Sequence, residues 1–375
     1  MEKKNMKPKA LTVVICVLCL FLIAGSLMIL FQGNGKIGGT TQSTQINYEV
    51  MNRYDAFMSQ QVSDALDGVM SIKKVYWLSD YDLVAPEPNQ NNYGETDDPT
   101  SLQWLLDDAA ELLEGQDTLF QTDVQIKEGS KVYYYLDETI LVITWKQIID
   151  DSVYTMSEVK IADPSQFRRF LADGEYGSDK KYITSEMAST VNAVVAINGD
   201  FYAFRQMGII VHNGQLMRPE GRRMETCFID RNGDMQFVYR KELQKEEEIQ
   251  AYIDEHGVRF SLAFGPVLID DGEICDVLKP YAVGEGDVHN ARAALGQLDS
   301  LHYLLVTVAA EYPCEHGQLL TTLAENMKEL GCINAYNLDG GQSSTLVMND
   351  KLMNYTYQRL ISDIVYFATA VPDGE

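Results

Sequence analysis

The chain has 375 residues, 46% of them hydrophobic, and its 30 basic against 55 acidic side chains leave a formal net charge of −25. That length and apolar content suit one large folded domain with accessory segments, and a charged fraction of 23% excludes global disorder. A polyanion of this kind is repelled by nucleic acid and by anionic lipid, so neither is expected as a general partner.

Lys3, Lys4, Lys7 and Lys9 lie in a short tail, residues 1–9, ahead of an uncharged run from Ala10 to Phe31. At about 1.5 Å per residue a helix of that length crosses a ~30 Å hydrocarbon core. The lysines should stay cytoplasmic, which places the C-terminal bulk outside, as a single-pass protein of the cell membrane. A cleaved signal peptide, with Ala24-Gly25-Ser26 as its small-residue site, is the competing reading.

Residues 32–123 read as linker and helical stalk or accessory region. Gly33 to Gln45 is rich in Gly, Thr, Ser and Gln, and Met51, Tyr54, Met58, Val62, Leu66 and Val69 then recur at helical spacing. A second helical face runs from Leu102 through Leu105, Leu106, Ala109 and Leu112 to Leu113, with Gly115 as its stop.

From residue 124 to 375 the pattern changes to strands. Val132 to Leu136 and Thr139 to Trp145 flank an Asp137-Glu138 break. Three hairpins are expected around Asn213-Gly214, Asn232-Gly233 and Asp271-Gly272, because these pairs supply the positive φ that tight turns require. Leu320, Leu323, Ala324, Met327 and Leu330 give one clear helix, closed by Gly331. The fold class is therefore α+β, a mixed and largely antiparallel sheet with flanking helices, preceded by the transmembrane helix. Cys227, Cys275, Cys314 and Cys332 show no metal or redox spacing, and either two disulfides or free thiols fit them.

Two apolar runs end in dense polar clusters. Val191 to Ile197 runs into Asn198-Gly199-Asp200-Phe201-Tyr202, and Ile333 to Leu338 runs into Asp339-Gly340-Gly341-Gln342-Ser343-Ser344-Thr345. Paired glycines let backbone approach a ligand closely, and successive N–H groups with nearby hydroxyls can cradle an anion. The same Asp-Gly-Gly turn is also ordinary hairpin chemistry.

Asn-Leu-Asp-Gly-Gly-x-Ser-Ser at Asn337 to Ser344, after a helix ending Leu330-Gly331, resembles the signature of the phosphodiester glycosidase family. Asn198-Gly199-x-Phe201, the hairpin from Gly208 to Gly214, the Ala291 to Gly296 segment, the Phe264 to Ile274 hairpin and Arg359 before a last apolar strand resemble further landmarks in the same order. The match covers about Val153 to Val371. Gln342 stands where a third glycine is usual, and Ala310 to Gln318 departs from the expected turn.

The resemblance implies an extracytoplasmic hydrolase that cleaves a sugar, N-acetylglucosamine being one candidate, from a glycosyl phosphodiester in a surface polysaccharide or phosphorylated glycan. A phosphate leaving group needs little protonation, so such a site must chiefly neutralise the phosphate and support an oxocarbenium-like centre. Arg292 and Arg359 are the expected phosphate ligands, since a guanidinium bonds phosphate bidentately. Asp339, with Asp200 as second choice, is the expected water-activating or nucleophilic carboxylate, giving Asp339, Asp200 and Arg292 as candidate catalytic residues. Asn198, Gly199, Arg359, Asn337, Gly340, Gly341, Ser343, Ser344 and His289 are the candidate substrate-binding residues, and Asn198 and Asn337 serve equally well as fixers of the turns. No cofactor is required. A divalent cation is compatible with so oxygen-rich a set, yet no zinc spacing or EF-hand loop assigns its ligands.

Two other readings remain open. One is a non-catalytic surface module that binds phosphorylated glycans; the other is a metal-dependent phosphodiesterase that breaks P–O rather than C–O. Oligomeric state has no signature in the chain.

Overall fold

The computed structural model describes residues 84–98, 102–115, 120, 126, 130–276, 278, 286–311, 314 and 316–371, all within one compact unit, Lys74–Glu375. The expected membrane anchor, the linker and the helical spacing at 51–69 lie outside the described residues. No helix among the described residues is long and apolar enough to cross a membrane.

In chain order, β1 (Tyr93–Thr96) and α1 (Gln103–Asp108) precede β2 (Val132–Leu136), β3 (Ile140–Ile149) and β4 (Ser152–Ile161). Then come β5 (Phe167–Leu171), α2 (Thr184–Thr190) and β6 (Val195–Asn198). The next four strands are β7 (Gly208–His212), β8 (Gln215–Glu220), β9 (Thr226–Ile229) and β10 (Met235–Val238). They are followed by α3 (Glu246–His256), β11 (Phe260–Leu262), β12 (Val267–Asp270) and β13 (Glu273–Ile274). The chain closes with β14 (Arg292–Asp299), β15 (His302–Ala309), α4 (Leu320–Glu329), β16 (Asn334–Leu338), β17 (Leu346–Met348), β18 (Lys351–Leu352) and β19 (Asp363–Phe367).

These strands form a nine-stranded sheet, β1-β2-β3-β4-β15-β14-β16-β12-β13, and a five-stranded sheet, β18-β17-β6-β19-β5. β10-β9-β11 and the β7-β8 hairpin are smaller units. Each named pairing among the described strands is antiparallel, so the parallel component of the expected mixed sheet does not occur there. β1 precedes residue 124, the expected start of the domain, and extends its larger sheet by pairing with β2.

Strand alternation sends successive side chains to opposite faces, and both faces of both large sheets are used. Val142, Val159 and Leu305 of the nine-stranded sheet share one apolar cluster with Val195, Ile197 and Val365 of the five-stranded sheet, so the two sheets pack face to face. The other face of the larger sheet, with Ile143, Met156 and Val306, is covered by Leu320, Leu323 and Met327 of α4. The other face of the smaller sheet, with Ala196 and Ile364, meets Met187 and Ala188 of α2.

The three expected hairpins form. Asn213 and Gly214 take φ of 49° and 75°, and Asp271 and Gly272 take 47° and 77°, the left-handed pairs a two-residue turn needs. Around Asn232-Gly233 only Gly233 has positive φ, and Asp230 Oδ1 accepts from the N–H groups of Asn232 and Asp234 to shape a longer loop. The helix expected from Leu102 to Leu113 is helical only over Gln103–Asp108. Asp107, Asp108, Glu111 and Glu114 put acidic side chains where the helix dipole is negative, which disfavours continuation. Val191 and Ala193 belong to the turn after α2, so the first apolar run becomes extended only at Val195. All four described cysteines are free thiols, which decides between the two readings left open for them.

Candidate active site

The two apolar runs bring their polar ends together because both are inner strands of the sandwich that end on the same side of it. β6 lies in the five-stranded sheet and β16 in the nine-stranded one, and both stop at the same rim. There Asn198 Nδ2 donates to the carbonyl of Asp339 at 2.8 Å and to that of Gly199 at 3.1 Å, while its Oδ1 accepts from Thr345 N at 3.0 Å. Asn198 is thus fully spent on joining the two motif turns. Gly199 has no room for a side chain, since a Cβ would stand 1.9 Å from Asp363 Oδ2.

A cleft of about 240 Å³ opens over the second motif. Asn337, Asp339, Gly340, Gly341 and Gln342 form its floor, and Phe264, Arg292 and Arg359 lie in its walls. Gly340 packs so closely on the Ala291 carbonyl that a Cβ would approach it to 2.6 Å; Gly341 N donates to the same carbonyl at 2.8 Å. Gly341 sits at φ 63° with open space on its Cβ side, so the floor stays bare. Asn337 Nδ2 is held by the Gly265 carbonyl at 2.8 Å, while its buried Oδ1 has no hydrogen-bond partner. An unpartnered buried acceptor in a cleft floor fits a ligand hydroxyl.

Asp339 accepts a short hydrogen bond from Arg359 Nη2, forming an ion pair at the cleft. Burial raises the pKa of Asp339 above the ordinary aspartate value, while Arg359, the Ser343 hydroxyl and Arg205 work in the opposite direction. The guanidinium of Arg359 also lies 5.2 Å from the ring centre of Phe201 and 5.8 Å from that of Phe204. Its main-chain N–H donates to the Gln342 carbonyl at 3.1 Å, which ties the segment before β19 to the glycine turn.

Several expected site residues have other work. Asp200 is buried away from the cleft lining: its oxygens accept from Tyr202 N and Ala263 N, each at 2.7 Å, and Oδ1 lies 3.0 Å from Arg169 Nη2. Arg169 also pairs with Asp363 at 2.7 Å, all three side chains being fully buried. Asp200 therefore anchors the first motif through a buried ion-pair cluster and is not a cleft carboxylate. Arg292 is in the wall, but Nε donates to the Gln318 carbonyl at 2.9 Å and Nη2 to that of Val288 at 2.7 Å, so this arginine stitches two loops together.

His289 and Ser344 line an adjoining space of about 370 Å³ with Tyr355 and Tyr357. His289 Nδ1 lies 2.9 Å from the Gly317 carbonyl. Ser343 and Ser344 are both buried, with Ser343 on the Asp339 side of the short 3₁₀ turn Gly341–Ser343. Among the described residues no group of three or more His, Cys, Asp or Glu side chains gathers as a metal site.

Arg205 is the site residue that sequence reasoning passed over. It is buried, its guanidinium lies 4.7 Å from the Phe264 ring centre and 5.2 Å from that of Phe201, and Nε and Nη2 have no hydrogen-bond partner. It stands seven residues beyond Asn198, outside any motif, and only its place among aromatic residues distinguished it. A larger cavity, about 590 Å³, lies elsewhere, between β1–β4 and the β17–β18 hairpin. It contains none of the motif residues, so chemistry rather than size selects the smaller cleft.

Comparison with known proteins agrees with the motifs. The family model described as phosphodiester glycosidase matches residues 191–368. The mouse N-acetylglucosamine-1-phosphodiester alpha-N-acetylglucosaminidase is 26% identical over 208 residues, covering 52% of this chain and 40% of its own length. The SPbeta prophage-derived protein YomE of Bacillus subtilis is 26% identical over 190 residues, covering 48% of this chain and 28% of its own. The chain thus spans well under half the length of these curated relatives. The catalytic domain of the zebrafish N-acetylglucosamine-1-phosphodiester alpha-N-acetylglucosaminidase superposes with a TM-score of 0.48 and 22% identity, over 61% of this chain and 82% of that domain. Residues 191–368, which run from the start of the first motif past the last strand, are similar to a phosphodiester glycosidase domain.

Proposed function

We propose that the chain hydrolyses a glycosyl phosphodiester by breaking the bond between the anomeric carbon and the phosphate oxygen. The Asp339–Arg359 ion pair in the glycine-floored cleft carries this reading. Arg359 is charged, partly exposed and able to turn its fork to a phosphate. Asp339, once released from Arg359, takes a proton from water as that water attacks the anomeric carbon. The C–O bond breaks, the electron pair leaves with the phosphate monoester, and the sugar departs with a new hydroxyl. Among the described lining residues of the 240 Å³ cleft Asp339 is the one carboxylate, which suits a leaving group that needs no strong acid.

The same count supports the second reading, a module that binds phosphorylated glycans without turnover, because glycosidases ordinarily employ two carboxylates. Incubation with an N-acetylglucosamine 1-phosphodiester separates them. Release of free sugar that Asp339→Asn abolishes supports hydrolysis; saturable binding without release supports the module. We also propose that the domain works outside the cell membrane, tethered by residues 10–31. Protease shaving of intact cells should remove it, and protection from protease would reject that placement.

A further inference from the structure

This inference rests on the hydrolytic reading and concerns how its carboxylate stays charged. In the free site Arg359 is committed to Asp339, yet the reading requires Arg359 to serve the incoming phosphate. A buried carboxylate that loses its cation takes up a proton, and a protonated Asp339 cannot accept one from water. A second cation is needed near Asp339.

We propose that Arg205 is a positioning residue that holds Asp339 ionised while Arg359 turns to the phosphate. The residue is more than nine-tenths buried, and Nε and Nη2 have no hydrogen-bond partner. Nη1 spends itself on a weak acceptor, the Met224 sulfur at 3.4 Å. Leaving charged donors unpaired in the interior is costly, so such a group persists where another interaction offsets the cost. The Phe201 ring lies 5.2 Å from both the Arg205 and Arg359 guanidinium centres, and Phe264, which lines the cleft, lies 4.7 Å from Arg205. Rings at those distances fix the position of a cation without neutralising it.

The neighbouring charges agree with this division of labour. Asp200 and Asp339 both attract Arg205, as the Tyr336 phenol would if ionised, and Arg218 repels it. Asp200 is already paired with Arg169, so its charge is compensated elsewhere. Arg218 donates to the carbonyls of Gly208, Tyr202, Arg205 and Met207, and is occupied in holding the loop that carries Arg205. Asp339 pairs with Arg359 and also feels the charge of Arg205 and the Ser343 hydroxyl, and of the two arginines only Arg359 is exposed enough to follow a ligand.

The test is the titration of the Asp339 carboxyl carbon by NMR in protein labelled at aspartate Cγ, assigned by Asp339→Asn. It is run with and without a non-hydrolysable sugar phosphonate, in the wild type, Arg205→Met and Arg205→Lys. The proposal expects the ligand-bound carboxyl to titrate at least one pH unit higher in Arg205→Met, with the lysine variant restoring most of the difference. Coincident titrations in all three folded proteins would overturn it. Should Arg205→Met fail to fold, Phe264→Leu, which shifts the guanidinium without removing it, must still raise the midpoint while Arg205→Lys stays near the wild type; an unmoved midpoint in Phe264→Leu counts against the proposal. The measurement needs no turnover, so it stays separate from the fate of the hydrolytic reading: absence of product with a raised midpoint rejects hydrolysis alone.

Discussion

Asn198 and Asp339, 141 residues apart, are joined by a 2.8 Å hydrogen bond from the Asn198 side chain to the Asp339 carbonyl. The bond crosses from the five-stranded to the nine-stranded sheet at the rim where both motif strands end. Asn198→Ala would free the Asp339 turn and the Thr345 N–H together. Loss of buried hydrogen bonds of this kind costs about 1–3 kcal/mol. Urea unfolding should register that loss, and turnover should fall further than stability alone explains.

Asp339→Asn keeps the shape of the side chain and removes its basicity. A positioned base contributes roughly 10²–10⁴-fold, and kcat should fall by that much with the melting temperature little changed. Arg359→Ala should instead raise KM for the phosphodiester, and Arg359→Lys should rescue only in part, because an ammonium lacks the planar fork.

The pH profile follows from the burial of Asp339. A general base must be deprotonated, so kcat/KM should fall as pH drops through the Asp339 pKa. Burial raises that pKa, so the acid limb should lie above the ordinary aspartate range. Arg359 opposes the shift in the free protein, and Arg359→Ala should therefore move the limb to still higher pH. A limb that stays in place in this variant would argue against Asp339 as the titrating group.

The Arg169–Asp200–Asp363 cluster is fully buried, and burial with the nearby Asp200 charge raises the Asp363 pKa despite Arg169. An aspartate whose folded pKa lies above its unfolded value contributes stability at low pH that is lost as pH rises through that window. Arg169→Met leaves two buried carboxylates without a cation, a change that costs roughly 3–5 kcal/mol. Since the Asp363 carboxylate can protonate in mild acid, the destabilisation should be larger at pH 8 than at pH 5 in parallel urea titrations.

Hairpins carrying Asn-Gly or Asp-Gly were legible in the chain, because glycine announces positive φ. The turns at Asp150-Asp151 and Asn349-Asp350 make the same left-handed conformation without glycine, at φ of 45° and 56° and of 49° and 58°, and went unread. α3 had usable signals, with Glu246, Glu247 and Glu248 in its first turn and Gly257 at φ 63° after its end. At the site, the motifs brought Asp339, Asn337, Gly340, Gly341 and Arg359 into one cleft. What motif spacing could not show is how a side chain uses its donors. Asp200 and Arg292 have the right chemistry beside the right strands, yet tertiary partners from Arg169, Gln318 and Val288 claim them. Arg205 has the reverse history: nothing in its local sequence marks it, and only folding sets it between Phe201 and Phe264.

Turnover of an N-acetylglucosamine 1-phosphodiester in ¹⁸O-labelled water tests the central claim most directly, because the label records which bond breaks. Label at the anomeric hydroxyl of the released sugar is the predicted result. Label in the phosphate would mean P–O cleavage and would contradict the account, as would a folded protein that releases no sugar at all.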